Sequence, residues 1–165
     1  MDTVFDDGVA ANAIFSKLKS YRENVMLDDI KVQAENDPHI DWGNGLNVLL
    51  ISDDALGRAL GLLIYLSTKT NVNDVRLCMS IEDVKGYLSG RAPDIIIYVG
   101  MPKRIEIYQV MNMVNGHVMI VMCDFLDFIV EAECRLYGIR YAFSSYKPIK
   151  DGLVYLRRAF EDNRY

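Results

Sequence analysis

Apolar runs and stretches of helical spacing alternate along most of this chain. The apolar run Val48-Leu49-Leu50-Ile51 ends abruptly in Ser52-Asp53-Asp54. Such a run, with acids only at its end, predicts a strand buried on both faces. After it, Ala55 to Ser67 repeats Leu56, Leu60, Leu63, Ile64 and Tyr65 at helical spacing, with Asp54 placed to cap that helix. Gly57 and Gly61 lie four residues apart on one face and permit a close neighbour. Val72 to Met79 predicts a second strand, and Ser80 with Asp83 has capping-box spacing for a helix from Ile81 to about Ser89. Asp94 to Val99 and Val118 to Met122 read as further buried strands, and Ile139 to Phe143 as a less apolar one. Helices are expected over Ile105 to Val114, Asp127 to Leu136 and Asp151 to Asp162, the last burying Leu153, Val154, Leu156 and Phe160.

The first part of the chain differs. Val4, Phe5, Val9, Ile14, Phe15, Leu18, Tyr21 and Val25 form a helical stripe, started late or broken by Gly8, with Leu27 to Ala34 as a second short helix. That stripe needs a cover, either its own domain or a partner. Asn36 to Gly45 collects turn formers and reads as a linker, with Trp42 as an anchor over a groove. The chain therefore divides into a helical extension and linker over 1–45 and an α/β domain over 46–165. Five strands alternating with five helices predict a flavodoxin-like three-layer sandwich with a parallel sheet of order 2-1-3-4-5. Ser52, Asp53, Asp54, Val99, Gly100, Cys123, Asp124, Ser145, Tyr146 and Lys147 then share the crevice at the strands' C-terminal edge. Asp94 begins its strand and belongs to the opposite edge.

Composition narrows the chemistry. A net charge of -5, with no basic cluster larger than Lys103-Arg104 or Arg157-Arg158, weighs against nucleic acid binding. No stretch approaches the ~18 apolar residues that span a bilayer, and the acidic start does not resemble a signal peptide. Cys78, Cys123 and Cys134 lack paired spacing and read as reduced thiols of a cytoplasmic protein. Neither His39 nor His117 is placed to activate Cys123, and no P-loop, dinucleotide fingerprint or zinc motif is present. The flavin phosphate loop and the Asp-x-His of cobalamin binders are also missing. Met101, Met111, Met113, Met119 and Met122 are read as core filling.

Ile51-Ser52-Asp53-Asp54-Ala55-Leu56-Gly57-Arg58, Pro93-Asp94-Ile95-Ile96-Ile97 and Lys147-Pro148 resemble the receiver domain (CheY-like) of bacterial two-component response regulators, over roughly residues 46 to 163. The resemblance sets Ser52 and Asp53 at the family's magnesium-holding acidic pair, or Asp53 and Asp54 if the register slides by one. Its phosphoacceptor aspartate falls on Val99 or Tyr98, and its Thr or Ser on Cys123. Aspartyl phosphate cannot form at a valine or tyrosine. The resemblance thus implies a degenerate, pseudo-receiver domain. Asp53 and Asp54 would bind magnesium weakly or not at all, and Lys147 would form an ion pair with Asp53.

The expected function is signal transduction or regulation by protein contact, without catalysis and without a cofactor. The family's contact face, formed by its fourth helix, fifth strand and fifth helix, would here present Phe128, Arg135, Tyr137, Tyr141, Tyr155 and Arg158. Its occupant would be a protein partner or a second copy, and a homodimer could also form through the Val4 to Val25 helix. No output domain follows Tyr165, so a signal would leave through a partner or the N-terminal extension. Two other readings stay open: a switch that answers to a metal or phosphodonor through Asp53 or Asp54, and a small-molecule binding module with an apolar pocket near Val99, Gly100 and Cys123.

Overall fold

The computed structural model describes residues 3–52, 54–100, 109–110, 113, 118–123, 132, 134–136, 139, 141–144, 154, 157–158 and 161. Its elements run α1 (Thr3–Asn36), β1 (Asn47–Ile51), α2 (Leu56–Lys69), β2 (Asp74–Cys78), α3 (Ile81–Leu88), β3 (Ile95–Val99), β4 (Val118–Cys123) and β5 (Tyr141–Ser144). The strands form one parallel sheet of order β2-β1-β3-β4-β5, the flavodoxin-like arrangement that the alternation predicts. Helical positions also lie at Gln109–Val110 and Met113, at Ala132 and Cys134–Leu136, and at Val154, Arg157–Arg158 and Glu161, within the last three predicted helices.

Side-chain alternation divides the core into two layers. Val48, Leu50, Ile95, Ile97, Val99 and Ile120 face Ala59, Leu62, Tyr65 and Leu66 of α2. Leu49, Ile51, Ile96, Tyr98 and Val121 face the other way, towards Val84, Val110, Cys134 and Ile139. Burial on both sides explains why these strands read as unbroken apolar runs. Met119 and Met122 are buried and Met113 packs on the second layer, as core filling requires; Met101 and Met111 lie outside the described residues.

The first segment departs from its expectation. It is one continuous helix, with no break at Gly8 or before Leu27. Nor does the anticipated stripe cover its own domain, since Ile14, Leu18, Tyr21 and Val25 are exposed. A different face docks on α2, through Glu23, Ile30 and Ala34. Gly57 and Gly61 set this approach: a Cβ at Gly57 would overlap the backbone carbonyl of Glu23, and one at Gly61 would meet Ile30 at 2.8 Å. The glycine pair thus serves the close neighbour anticipated for it, and that neighbour is α1.

Insertion between sheet and α1 also rotates the buried side of α2. Gly57, Arg58, Ala59, Gly61, Leu62, Tyr65 and Leu66 are buried, whereas Leu56 and Leu60 are exposed. Val154, expected inside, is likewise exposed. The linker lies over the sheet's other end. Ile40 donates to Lys69 O at 2.7 Å, Asn71 donates to Trp42 O at 2.8 Å, and Trp42 packs on the first core layer as the expected anchor.

Two local details set the strand ends. At α3, Ser80 Oγ accepts from Asp83 N and Asp83 Oδ2 accepts from Met79 N, both at 3.1 Å, so the short acid reaches one residue before the cap. Asp94 fastens the starts of β1 and β3: its Oδ2 accepts from Asn47 N and its N–H donates to Asn47 O, each at 2.8 Å. At the sheet margin Asp74 of β2 pairs with Arg91 at 2.6 Å and Arg76 at 3.5 Å.

Candidate functional site

The strand ends of β1 and β3 meet at the sheet's C-terminal edge. Ile51 pairs with Tyr98, which brings Ser52 beside Val99. Ser52 is fully buried, and its Oγ accepts from Ala55 N at 3.1 Å. The hydroxyl is therefore engaged in a local turn at the position where a magnesium-binding acid was sought. Val99 and Tyr98 are both fully buried, one in each core layer. Neither offers an oxygen for phosphoryl transfer at the valine or carboxylate chemistry at the tyrosine.

Asp54 is half-buried and lies against Gly100, whose φ of +122° no ordinary side chain adopts readily. A Cβ at position 100 would overlap Asp54 Oδ1. Ala55, and not Asp54 as expected, occupies the cap position of α2, with no side-chain cap bond of its own. A carboxylate of another helix reaches this turn. Glu23 Oε1 of α1 accepts from Arg58 N at 3.2 Å, three residues into α2, and the same carboxylate pairs with the Arg58 guanidinium at 3.0 Å. Glu23 places negative charge at a helix N-terminus, where it is favourable. Arg58 thus links the site to α1.

Glu23 is the participant that the sequence did not reveal. An acid within an amphipathic helix carries no sign that it will be buried, and only the facing Gly57 hinted at something pressed close. Beside the pair lies a groove of about 330 Å³, lined by Ser20, Asn24, Leu27, Asp54, Leu56 and Leu60 among others. A second cavity, of about 540 Å³, lies between β2 and α3 and includes Arg76, Cys78, Asp83, Tyr87 and Arg91. There burial pushes the Cys78 thiol and the Tyr87 phenol upward, assisted by Asp83 and Asp74 respectively and opposed by nearby arginines. Neither of these two cavities includes Val99, Gly100 or Cys123.

Cys123 ends β4 beside Ser144 of β5, which puts its backbone at the crevice edge. Asp53, Asp124, Ser145, Tyr146 and Lys147 lie outside the described residues, and with them the expected Asp53–Lys147 pair. Of the described positions that end β1 and β3, Asp54 alone brings a carboxylate. Among the described residues no three His, Cys, Asp or Glu side chains group as metal ligands. Magnesium favours near-octahedral oxygen donors, commonly including more than one acid, and of the expected Asp53–Asp54 pair only Asp54 is among the described residues. On the expected contact face, Arg135 and Arg158 are exposed and Tyr141 is half-buried against the first core layer. Phe128, Tyr137 and Tyr155 lie outside the described residues. No described helix is long and apolar enough to cross a membrane.

Neither a protein-family model nor a curated protein sequence matches the chain. Solved structures do. A CheY-like response regulator receiver domain protein from Methanospirillum hungatei superposes with a TM-score of 0.57 at 8% identity, covering 73% of this chain and 98% of that one. A response regulator receiver protein from Pseudomonas putida gives 0.57 at 14% identity, covering 71% and 99%. The signal receiver domain of an HD domain-containing protein from Pseudomonas fluorescens gives 0.56 at 17% identity, covering 73% and 98%. At such identities the likeness establishes the fold.

Proposed function

We propose that this chain is an atypical receiver-like domain that acts in signalling or regulation by contact with a protein partner, without aspartyl phosphorylation, catalysis or a bound cofactor. The observation that carries the reading is the end of β3, where Val99 and Tyr98 are fully buried among apolar neighbours. These are the positions at which the resemblance seeks a phosphoacceptor. An aspartate there must be open to solvent, donor and metal; a valine sealed under the sheet edge is none of these.

Ser52 supports the same reading, because it brings no carboxylate and its hydroxyl oxygen accepts from Ala55 N in the turn that starts α2. Contact is left as the means of signalling, and exposed Leu136 and Val154 accompany Arg135 and Arg158 on the elements that flank β5. Apolar side chains beside arginines suit a protein interface. The reduced, buried Cys78 and Cys134 accord with a cytoplasmic setting.

Intact mass after incubation with magnesium and acetyl phosphate tests the proposal. No phosphoryl adduct is expected, in the native protein or in Asp53→Ala. An adduct present in the native protein and lost in Asp53→Ala would replace contact alone with a displaced phosphoacceptor.

A further inference from the structure

The outer face of α1 has no counterpart within the described residues. Ile14, Leu18, Tyr21, Val25 and Val32 are 57%, 58%, 70%, 39% and 55% exposed. Their spacings of four, three, four and seven residues draw a single seam along the helix, the heptad pattern of a coiled coil. The face that docks on α2 is the opposite one, through Glu23, Ile30 and Ala34, so the seam and the intramolecular contact do not compete.

The direction of α1 adds a second observation. Glu23 lies over Gly57, Ile30 over Gly61, and Asp37 meets Tyr65, so α1 and α2 run the same way. Because α2 begins only at Leu56, the part of α1 before Ser20 continues past its start for about 25 Å. Every residue described between Ala13 and Tyr21 is exposed. A projecting helix of this length is marginal in water by itself.

We infer that two copies of the chain associate through this face as an antiparallel helix pair, with Ile14 and Leu18 of one packing on Val25 and Tyr21 of the other. The four-three-four spacing from Ile14 to Val25 reads the same in both directions, so a two-fold axis between Leu18 and Tyr21 superposes the seam on itself. Charge selects the orientation. A parallel pair would set Asp28 against Asp28 and Glu35 against Glu35 at seam positions, a like-charge contact that disfavours assembly. The antiparallel pair separates these acids, bringing each level with position 11 or 4 of the second helix. It also sets Lys31 level with Gly8 of the second copy, one residue from Asp7. Each projecting half then lies along the docked half of the other α1, on the side away from α2. This association does not depend on whether the crevice is phosphorylated.

Sedimentation of the full chain tests it, with Leu18→Glu on the seam and Lys85→Glu on α3, on the far side of the sheet. A mass of twice 18.8 kDa is expected for the native chain and for Lys85→Glu. Leu18→Glu, which alters an exposed position and leaves the core intact, should weaken dimerisation by at least about thirtyfold. Mixing Ile14→Cys with Val25→Cys protein under mild oxidation should give the mixed cross-link, with none in the native chain. A native chain that is monomeric at about 100 µM overturns the inference. So does a dimer that survives Leu18→Glu, or self-cross-linking of Ile14→Cys alone.

Discussion

Glu23 and Arg58 form a buried ion pair at 3.0 Å, with side-chain exposures of 10% and 3%, and the same carboxylate also accepts the backbone N–H of Arg58. One acid on α1 therefore neutralises a cation of α2 and caps its first turn. Removing either partner strands the other in a dry contact. Glu23→Ala and Arg58→Ala should each cost about 3–5 kcal/mol in urea unfolding, and Glu23→Leu with Arg58→Met should recover much of it. Full additivity of the single losses in the double variant would show that the two groups do not act as a pair.

Gly57 and Gly86 are both helical glycines in very different surroundings. A Cβ at 57 overlaps the Glu23 carbonyl, whereas one at 86 meets nothing within 4 Å. Gly57→Ala should destabilise by about 1–3 kcal/mol as α1 is forced off, and Gly86→Ala should stabilise by up to about 1 kcal/mol through helix propensity. Equal effects from the two substitutions would refute the close crossing of α1 and α2.

Tyr65 is fully buried and its hydroxyl donates to Asp37 Oδ2 at 2.6 Å. Burial, then the bond to Asp37 and its charge, raise the phenol well above its ordinary value of 10.0. The native state thus keeps a proton that the unfolded chain begins to lose near pH 10. Stability contributed by this group is whole below that pH and declines as pH rises above it. Tyr65→Phe should lose about 1 kcal/mol at neutral pH. Its unfolding free energy should also fall less steeply than the native protein's above pH 10, a difference that parallel denaturant titrations would measure.

Val99→Asp offers the acid that the resemblance seeks, yet the side chain is fully buried in an apolar layer. The expected outcome is a loss of about 3 kcal/mol or more, with no gain of a phosphoryl adduct from acetyl phosphate. A stable variant that takes up phosphate would show that the edge opens readily and would weaken the contact-only reading.

The sheet was legible because strands buried on both faces leave an unmistakable trace, as in Val48 to Ile51 and Ile95 to Val99. Ser80 and Asp83 announced the start of α3, and Gly57 with Gly61 announced a tight neighbour without identifying it. The helical layers were harder to orient. Apolar periodicity shows that α1 has a stripe but not which side the domain takes, and here Glu23 marks the docked face while Leu18 points away. Helix α2 misled for a related reason, since covering on two sides buries Arg58 and two glycines while leaving Leu56 and Leu60 outside. At the crevice, Ser52 could be placed by resemblance but its bond to Ala55 could not. Likewise no local rule predicts that the Arg58 N–H in the first turn of α2 donates to a residue 35 positions before it.

The cluster of Arg91, Asp74 and Arg76 at the margin of the sheet bears on behaviour at high concentration. An outermost strand is a template on which foreign strands can add, and natural sheets resist this by placing charge there. Because β2 carries both signs along its short length, an incoming strand would have to disrupt the Asp74 contacts before its own ladder could form. The β2 margin of the sheet is thereby guarded against fibrous growth.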